Sequence, residues 1–249
     1  MSIAPQKYFV EKIGGERVEV HIMVPSGASP HTYEPSVGQM KKLADADAYF
    51  AIGVTFEKAW LSKITSIHPD MELVDTARRI EKSSSPHGHA HDPHIWLSPP
   101  LVMLQARAVF EGLAKIDPDG FAHYASRYAS FLSEIVELDI ELKTRLTPGA
   151  TFMAYHPSWG YFAEAYGLEQ VPVEIDGKAP KARQIQEAIR RARELDIRVV
   201  MVQPQISSRD ADTIAREING RTVMADPLAE DWAQNLRRVA DLIGKHKEE

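Results

Sequence analysis

The 249-residue chain has no cysteine. That single absence excludes disulfides, thiolate metal sites and cysteine nucleophiles. Any tight transition-metal site must then be built from imidazole and carboxylate. Long apolar runs are also missing, and no stretch approaches the length needed to span a bilayer. A basic balance is lacking too: the formal net charge is -6, against a nucleic-acid binder, which usually presents a basic face. No export signal is visible at the start, where Met-Ser-Ile-Ala-Pro leads straight into folded-looking sequence. Two readings stay open on that ground, a cytoplasmic protein or a chain that starts after a removed export segment.

What is present is ordinary globular composition, 44% hydrophobic and 26% charged, on a chain long enough for one large domain or two of common size. Strand-like and helix-like segments alternate, which is the pattern of an α/β fold. Residues 5–13 read as a helix between Pro5 and Gly14-Gly15, and the alternation of 17–24 reads as a strand. Ser36 is placed to cap a helix over 37–46 with Val37, Met40, Leu43 and Ala44 on its apolar face. Further strands are expected at 48–52, 71–75, 150–155, 171–175, 198–203 and 221–225. Helices are expected at 56–67, 101–115, 158–166 (capped by Ser158), 181–195, 208–218 and 231–245. Residues 119–146 carry apolar side chains at helical spacing from Phe121 to Leu146, which predicts one helix of roughly 40 Å.

Of ten histidines, three stand in similar settings. His31 follows the 17–24 segment, His94 precedes a helix start, and His156 ends an apolar strand. Asp226-Pro227 ends another. At least three of these four polar residues sit at the carboxyl end of a strand with a helix to follow, the edge where open α/β sheets bind ligands. Three neutral imidazoles and a carboxylate make a four-coordinate shell suited to zinc, whereas manganese and magnesium prefer more oxygen. Spacings of roughly 60 to 70 residues say little alone. One histidine at a strand end is more often a hydrogen-bonded loop residue, and Asp before Pro is a common turn. His21, His68, His123 and His246 read as non-ligands, and Glu34 as a capping residue. Trp96, Trp159 and Tyr161 read as packing beside the site. His87, His89 and His91 lie in a polar stretch, either a metal-collecting segment or a plain surface loop.

Four segments taken in order are more specific: Val-Pro-Ser-Gly-Ala-Ser-Pro-His-Thr-Tyr-Glu-Pro (24–35), Asp-Pro-His-Ile-Trp-Leu (92–97), Tyr-His-Pro-Ser-Trp-Gly-Tyr-Phe-Ala (155–163) and Ala-Asp-Pro-Leu (225–228). Together they resemble the metal-binding solute-binding proteins of ABC importers, nearest the zinc-uptake branch. The resemblance implies two α/β lobes, 1–118 and 147–249, each with a mostly parallel sheet, joined by a long rigid helix at 119–146, with metal in the cleft between them. It places His31, His94 and His156 on the family's histidine ligand positions and Asp226 on that of a carboxylate ligand, which water or another acid replaces in some zinc members. Manganese-type relatives usually carry Glu where His156 stands, so zinc is favoured over manganese. The implied role is capture of the ion in the periplasm or at a cell surface and delivery to an ABC permease by a monomer that is not an enzyme and binds no nucleic acid. Zinc-dependent hydrolysis and surface adhesion on the same fold are the rivals; no HExxH-type pair supports the first. Two departures stand out. Ser98 replaces a usual Asp, and the family's first strand, which precedes Ile3-Ala4-Pro5, is almost absent.

Overall fold

The computed structural model describes residues 1–80, 92–174, 180–207 and 209–244. His87, His89, His91 and His246 lie outside the described residues. The described chain forms two compact units, one of residues 1–80, 99–138 and 228–232, the other of 92–98, 139–174, 180–207, 209–227 and 233–244. Both are α/β, with parallel strands and helices alternating along the chain. No helix among the described residues is long and apolar enough to cross a membrane.

The first unit holds α1 (Ala4–Gly14), α2 (Val37–Leu43), β1 (Ala48–Ala51), α3 (Thr55–Ile67), β2 (Glu72–Asp75) and α4 (Pro99–Ile116). It also holds most of α5 (Phe121–Arg145), which runs on into the second unit from Asp139. Strands β1 and β2 pair in parallel, Ala48 opposite Glu72 and Ala51 opposite Asp75. Phe9, Ile13, Phe50, Ile64, Val109, Phe131 and Ile135 are buried. Trp232 returns to this core and meets Phe9 edge to face at 5.2 Å, a favoured aromatic geometry.

Residues 17–24 do not form the expected strand. Gly15–Arg17 is a 3-10 turn, and the segment pairs with the start of the chain through Met1 N–H to His21 O (3.2 Å), Met23 N–H to Met1 O (3.0 Å) and Val24 N–H to Ser2 O (2.9 Å). The side chains still alternate in burial from Val18 to Ile22. A period-2 pattern becomes a ladder only where neighbouring backbone pairs along it, and the backbone partners found here are Met1 and Ser2. Between this segment and β1 lies a cavity of about 710 Å³ lined by Met1, Val18, Val20, Ile22, Ala48 and Phe50 among others. Helix α2 is also shorter than expected. It stops at Leu43, and Val37, expected on its apolar face, is 75% exposed. Ser36 does cap it: Gln39 N–H donates to Ser36 Oγ and Ser36 N–H to Gln39 Oε1, the reciprocal capping box. Glu34 takes no part in this cap and is exposed.

The second unit holds the end of α5, then β3 (Thr151–Ala154), α6 (Gly160–Tyr166), β4 (Glu169–Pro172), α7 (Ala182–Glu194), β5 (Val199–Val202), α8 (Arg209–Glu217), β6 (Arg221–Met224) and α9 (Trp232–Gly244), of which Ala233 onward belongs here. All four strands are parallel, in the order β4-β3-β5-β6. Every residue of β5 is buried, as expected for a parallel strand covered on both faces. Helices α7 and α8 close on it through Ala188, Ile189, Ala192, Ala211, Ile214 and Ala215. The connections from β3 and from β5 run outward in opposite directions, so β3 and β5 flank the topological switch point. The crevice beyond their carboxyl ends is where such sheets bind ligands.

Candidate metal centre

Each strand of the second sheet runs out into a loop that carries a polar side chain of interest. His156 follows β3, Glu174 follows β4, Gln205 follows β5 and Asp226 follows β6. The strands are parallel neighbours, so these four exits lie along one edge. His156 and Gln205 flank the switch point itself.

His156 keeps only 7% exposure, and its Nδ1 lies 2.7 Å from Oε2 of Glu174, itself buried. His94 is equally buried and is held by Asp92: its Nδ1 lies 2.6 Å and its backbone N–H 2.9 Å from the same Oδ1. With Nδ1–H given to a carboxylate, the ring lone pair sits on Nε2, the nitrogen then able to take a metal. The two rings are 5.3 Å apart edge to face, and a nitrogen of each lies within 4.8 Å of one of the other. The two nitrogens are thereby neighbours as donors to one cation, whose bonds to nitrogen run about 2.0–2.1 Å for zinc.

The pair is supported from below. The Asp92 carbonyl accepts the Tyr161 hydroxyl at 3.3 Å. A Cβ on Gly160 would come within 2.9 Å of Asp92 Oδ2, so the first residue of α6 must be small. Trp96 packs on His94 with ring centroids 5.1 Å apart, and its indole N–H donates to Pro227 O at 2.7 Å. This ties the His94 segment to the Asp226-Pro227 turn. Trp159 N–H donates to Gln170 Oε1 at 2.8 Å, and Trp159 itself is buried against Phe162. Ser158 does not cap α6 as expected. Trp159 stands at the cap position, and Ser158 is fully buried with its Oγ unpaired. Burial pushes the Asp92 carboxyl up, but the charge of His94 and its two hydrogen bonds outweigh this and hold it below its ordinary range.

Asp226 stands on the same edge, with Oδ1 accepting from Gln205 Nε2 at 2.9 Å and its carbonyl accepting from Asn235 Nδ2 at 2.7 Å. His31 belongs to the first unit. It is exposed, and its Nδ1 lies 3.1 Å from Thr55 Oγ1 at the start of α3. Its loop is pinned to that helix by Phe56 N–H donating to Pro30 O at 2.9 Å. Below it Glu57 Oε1 and Oε2 accept from Ile52 and Gly53 N–H. The structure thus brings His94 and His156 together and adds Asp92, Glu174 and Gln205, which sequence reading did not single out. Asp92 could have been found from its place two residues before His94. Glu174 and Gln205 carry no such local signal.

Residues 1–245 match the family model of ZnuA, the zinc-uptake complex component A, periplasmic. The chain belongs to that family. It is 27% identical over 243 residues to the high-affinity zinc uptake system protein ZnuA of Bacillus subtilis, covering 90% of this chain and 76% of that one. It is also 27% identical over 214 residues to the manganese-binding lipoprotein MntA of Halalkalibacterium halodurans, covering 84% and 71%. A crystal structure of ZnuA superposes with a TM-score of 0.94 at 42% identity, over 98% of this chain and 96% of that one. As a ZnuA-family member the chain is a solute-binding component for metal capture in ABC import, extracytoplasmic, and not an enzyme. The hydrolase and adhesin alternatives are not favoured.

Proposed function

We propose that this ZnuA-family chain, as a monomer, captures zinc through His31, His94 and His156, with Asp226 as a fourth ligand, and hands the ion to a membrane permease. The observation that carries the reading is the His94–His156 pair, two buried imidazoles whose Nδ1 atoms are each held by a carboxylate. Such second carboxylates fix the tautomer and raise the basicity of the ligand nitrogen. Three nitrogens and one oxygen suit zinc, while an oxygen-rich six-coordinate set suits manganese. His31, in the Ser-Pro-His-Thr segment, is the donor supplied by the first unit. The His87, His89 and His91 stretch is an auxiliary metal-collecting segment in this reading. A closed shell with no position left for a reactive water is what a carrier needs.

The test is a chelator-competition titration of zinc with the wild-type chain and with His31→Ala and His94→Ala, beside elemental analysis of the purified protein. Loss of affinity by orders of magnitude in both variants is expected. Near-wild-type affinity in both would overturn the assignment.

A further inference from the structure

We propose that the first unit has a seat for one more parallel β-strand, in the cavity between residues 17–24 and β1, and that its occupant is a short, mostly apolar stretch joined by a peptide bond to Met1. This seat is separate from the metal centre and does not depend on its ligands.

The second unit supplies the template. There β3 leads through α6 outward to β4, α7 crosses to β5, and α8 leads outward to β6, giving the order β4-β3-β5-β6. The first unit repeats that succession of connections: α1 leads to residues 17–24, α2 leads on to β1, and α3 leads to β2. The counterpart of β3 in this series is whatever enters α1, and its place is between residues 17–24 and β1. There lies the cavity of about 710 Å³, with Val18 and Val20 on one side, Ala48 and Phe50 on the other, and Val10 and Leu113 from helices α1 and α4.

Backbone geometry fixes the direction. The Met1 amino group donates to His21 O, and Met1 O accepts from Met23 N–H, the two bonds of a parallel ladder. Followed backward from Met1, that ladder runs past Val20 and Val18 into the cavity, and by alternation Glu19 and His21 face it with their backbone groups. On the other wall Asp47 O and Ala51 O accept from the β2 side, so Ala48 and Phe50 turn their backbone groups the opposite way. Phe50 O there accepts from the Gln6 side-chain amide at 3.2 Å, and Gln6 Oε1 accepts from Ser2 N–H at 3.1 Å. One side chain bridges what two strands would bond directly.

The Met1 amino group settles the source of the strand. It is buried, and burial pushes it down to about 5 against the pull of Glu57. An ammonium is costly to bury, whereas a peptide bond at the same nitrogen carries no charge and keeps the bond to His21. A separate peptide would instead bring a terminal carboxylate to the same place, a second charge to desolvate. The chemistry of the occupant follows from its counterpart: β3 is buried at three of its four positions, as suits a strand inside a parallel sheet.

The experiment lengthens the full chain at Met1 by Lys-Val-Ile-Val-Val in one variant and by Lys-Thr-Val-Thr-Val in a second that is less prone to aggregate. The controls are a Gly-Ser extension of equal length, and the first sequence added as a free peptide to the unextended chain. Hydrogen exchange reads single backbone amides, and urea unfolding reads stability. Both strand extensions should slow exchange at Glu19, His21, Ala48 and Phe50 by about tenfold or more and raise the urea midpoint. The amides of Val20 and Ile22, which point away from the cavity, should change less. Wild-type exchange at those four amides in both extended chains overturns the proposal, as does equal protection by the Gly-Ser extension. Protection by the free peptide equal to that of the joined one overturns the assignment of the occupant to a stretch joined at Met1.

Discussion

His156 Nδ1 and Glu174 Oε2 lie 2.7 Å apart, and the two residues leave adjacent parallel strands at the same edge. Eighteen residues of chain separate them, yet the sheet makes them neighbours. His31 has a weaker support, the neutral hydroxyl of Thr55 at 3.1 Å in an exposed setting. The expected outcome is unequal. Glu174→Gln should weaken zinc about 10- to 100-fold, and Thr55→Val by less than Glu174→Gln. Equal losses in a competition titration would show that the kind of Nδ1 partner does not matter.

Acid should act twice. Metal ligation needs neutral imidazoles, so zinc affinity should fall as the solution is acidified. Asp92 gives a second effect in the metal-free protein. Burial raises its carboxyl, but His94 more than offsets this and leaves it depressed in the folded chain. A depressed carboxyl stabilises the fold above its unfolded value near 3.8, and that contribution disappears as pH falls through the lower folded value. Urea unfolding of Asp92→Asn should lose the part of the acid-dependent slope that wild type shows below about pH 4. An unchanged slope would remove Asp92 from the account.

Trp96 joins two segments of the second unit that are 131 residues apart, through one buried hydrogen bond to Pro227 O. Trp96→Phe keeps most of the apolar packing and strands that carbonyl. A loss of about 1–3 kcal/mol is expected from an unsatisfied buried acceptor, read as a lower denaturation midpoint with an unchanged slope. Wild-type stability would mean that the carbonyl finds another donor.

Gly220 tests the backbone instead. Asn219, at φ 52°, takes the left-handed position after α8, and Gly220 N–H then bonds Ala215 O at 2.8 Å. A Cβ at Gly220 would sit 2.0 Å from the Arg198 carbonyl oxygen just before β5. Backbone on both sides leaves no flexible end to yield, so Gly220→Ala should destabilise by upwards of about 2 kcal/mol. A thermal melt matching wild type would refute the close approach.

Much of this was readable beforehand. Elements with strong periodicity and good punctuation, such as α5, α7 and β5, stand close to where the pattern put them, because Pro, Gly and burial period act locally. Residues 17–24 misled because their alternation is real while only Met1 and Ser2, among the described residues, pair with their backbone. Ser158 misled because a serine before a helix caps only if its hydroxyl faces the turn, and here it faces the interior. His94 and His156 were visible through their flanking motifs. Glu174 and Gln205 were not, since their contacts with His156 and Asp226 arise from the lateral order β4-β3-β5-β6, which no window along the chain contains. Asp92 was within reach as the acid two residues before His94.

The four strand exits of the second sheet gather their polar groups along one edge, where His156 and Glu174 are buried against each other. A substitution at either one therefore changes what the edge can hold and leaves its partner buried without its hydrogen bond. On that edge the ion a descendant could hold and the fit of its buried pair change together, while the layer of valines, isoleucines and alanines below packs through other residues.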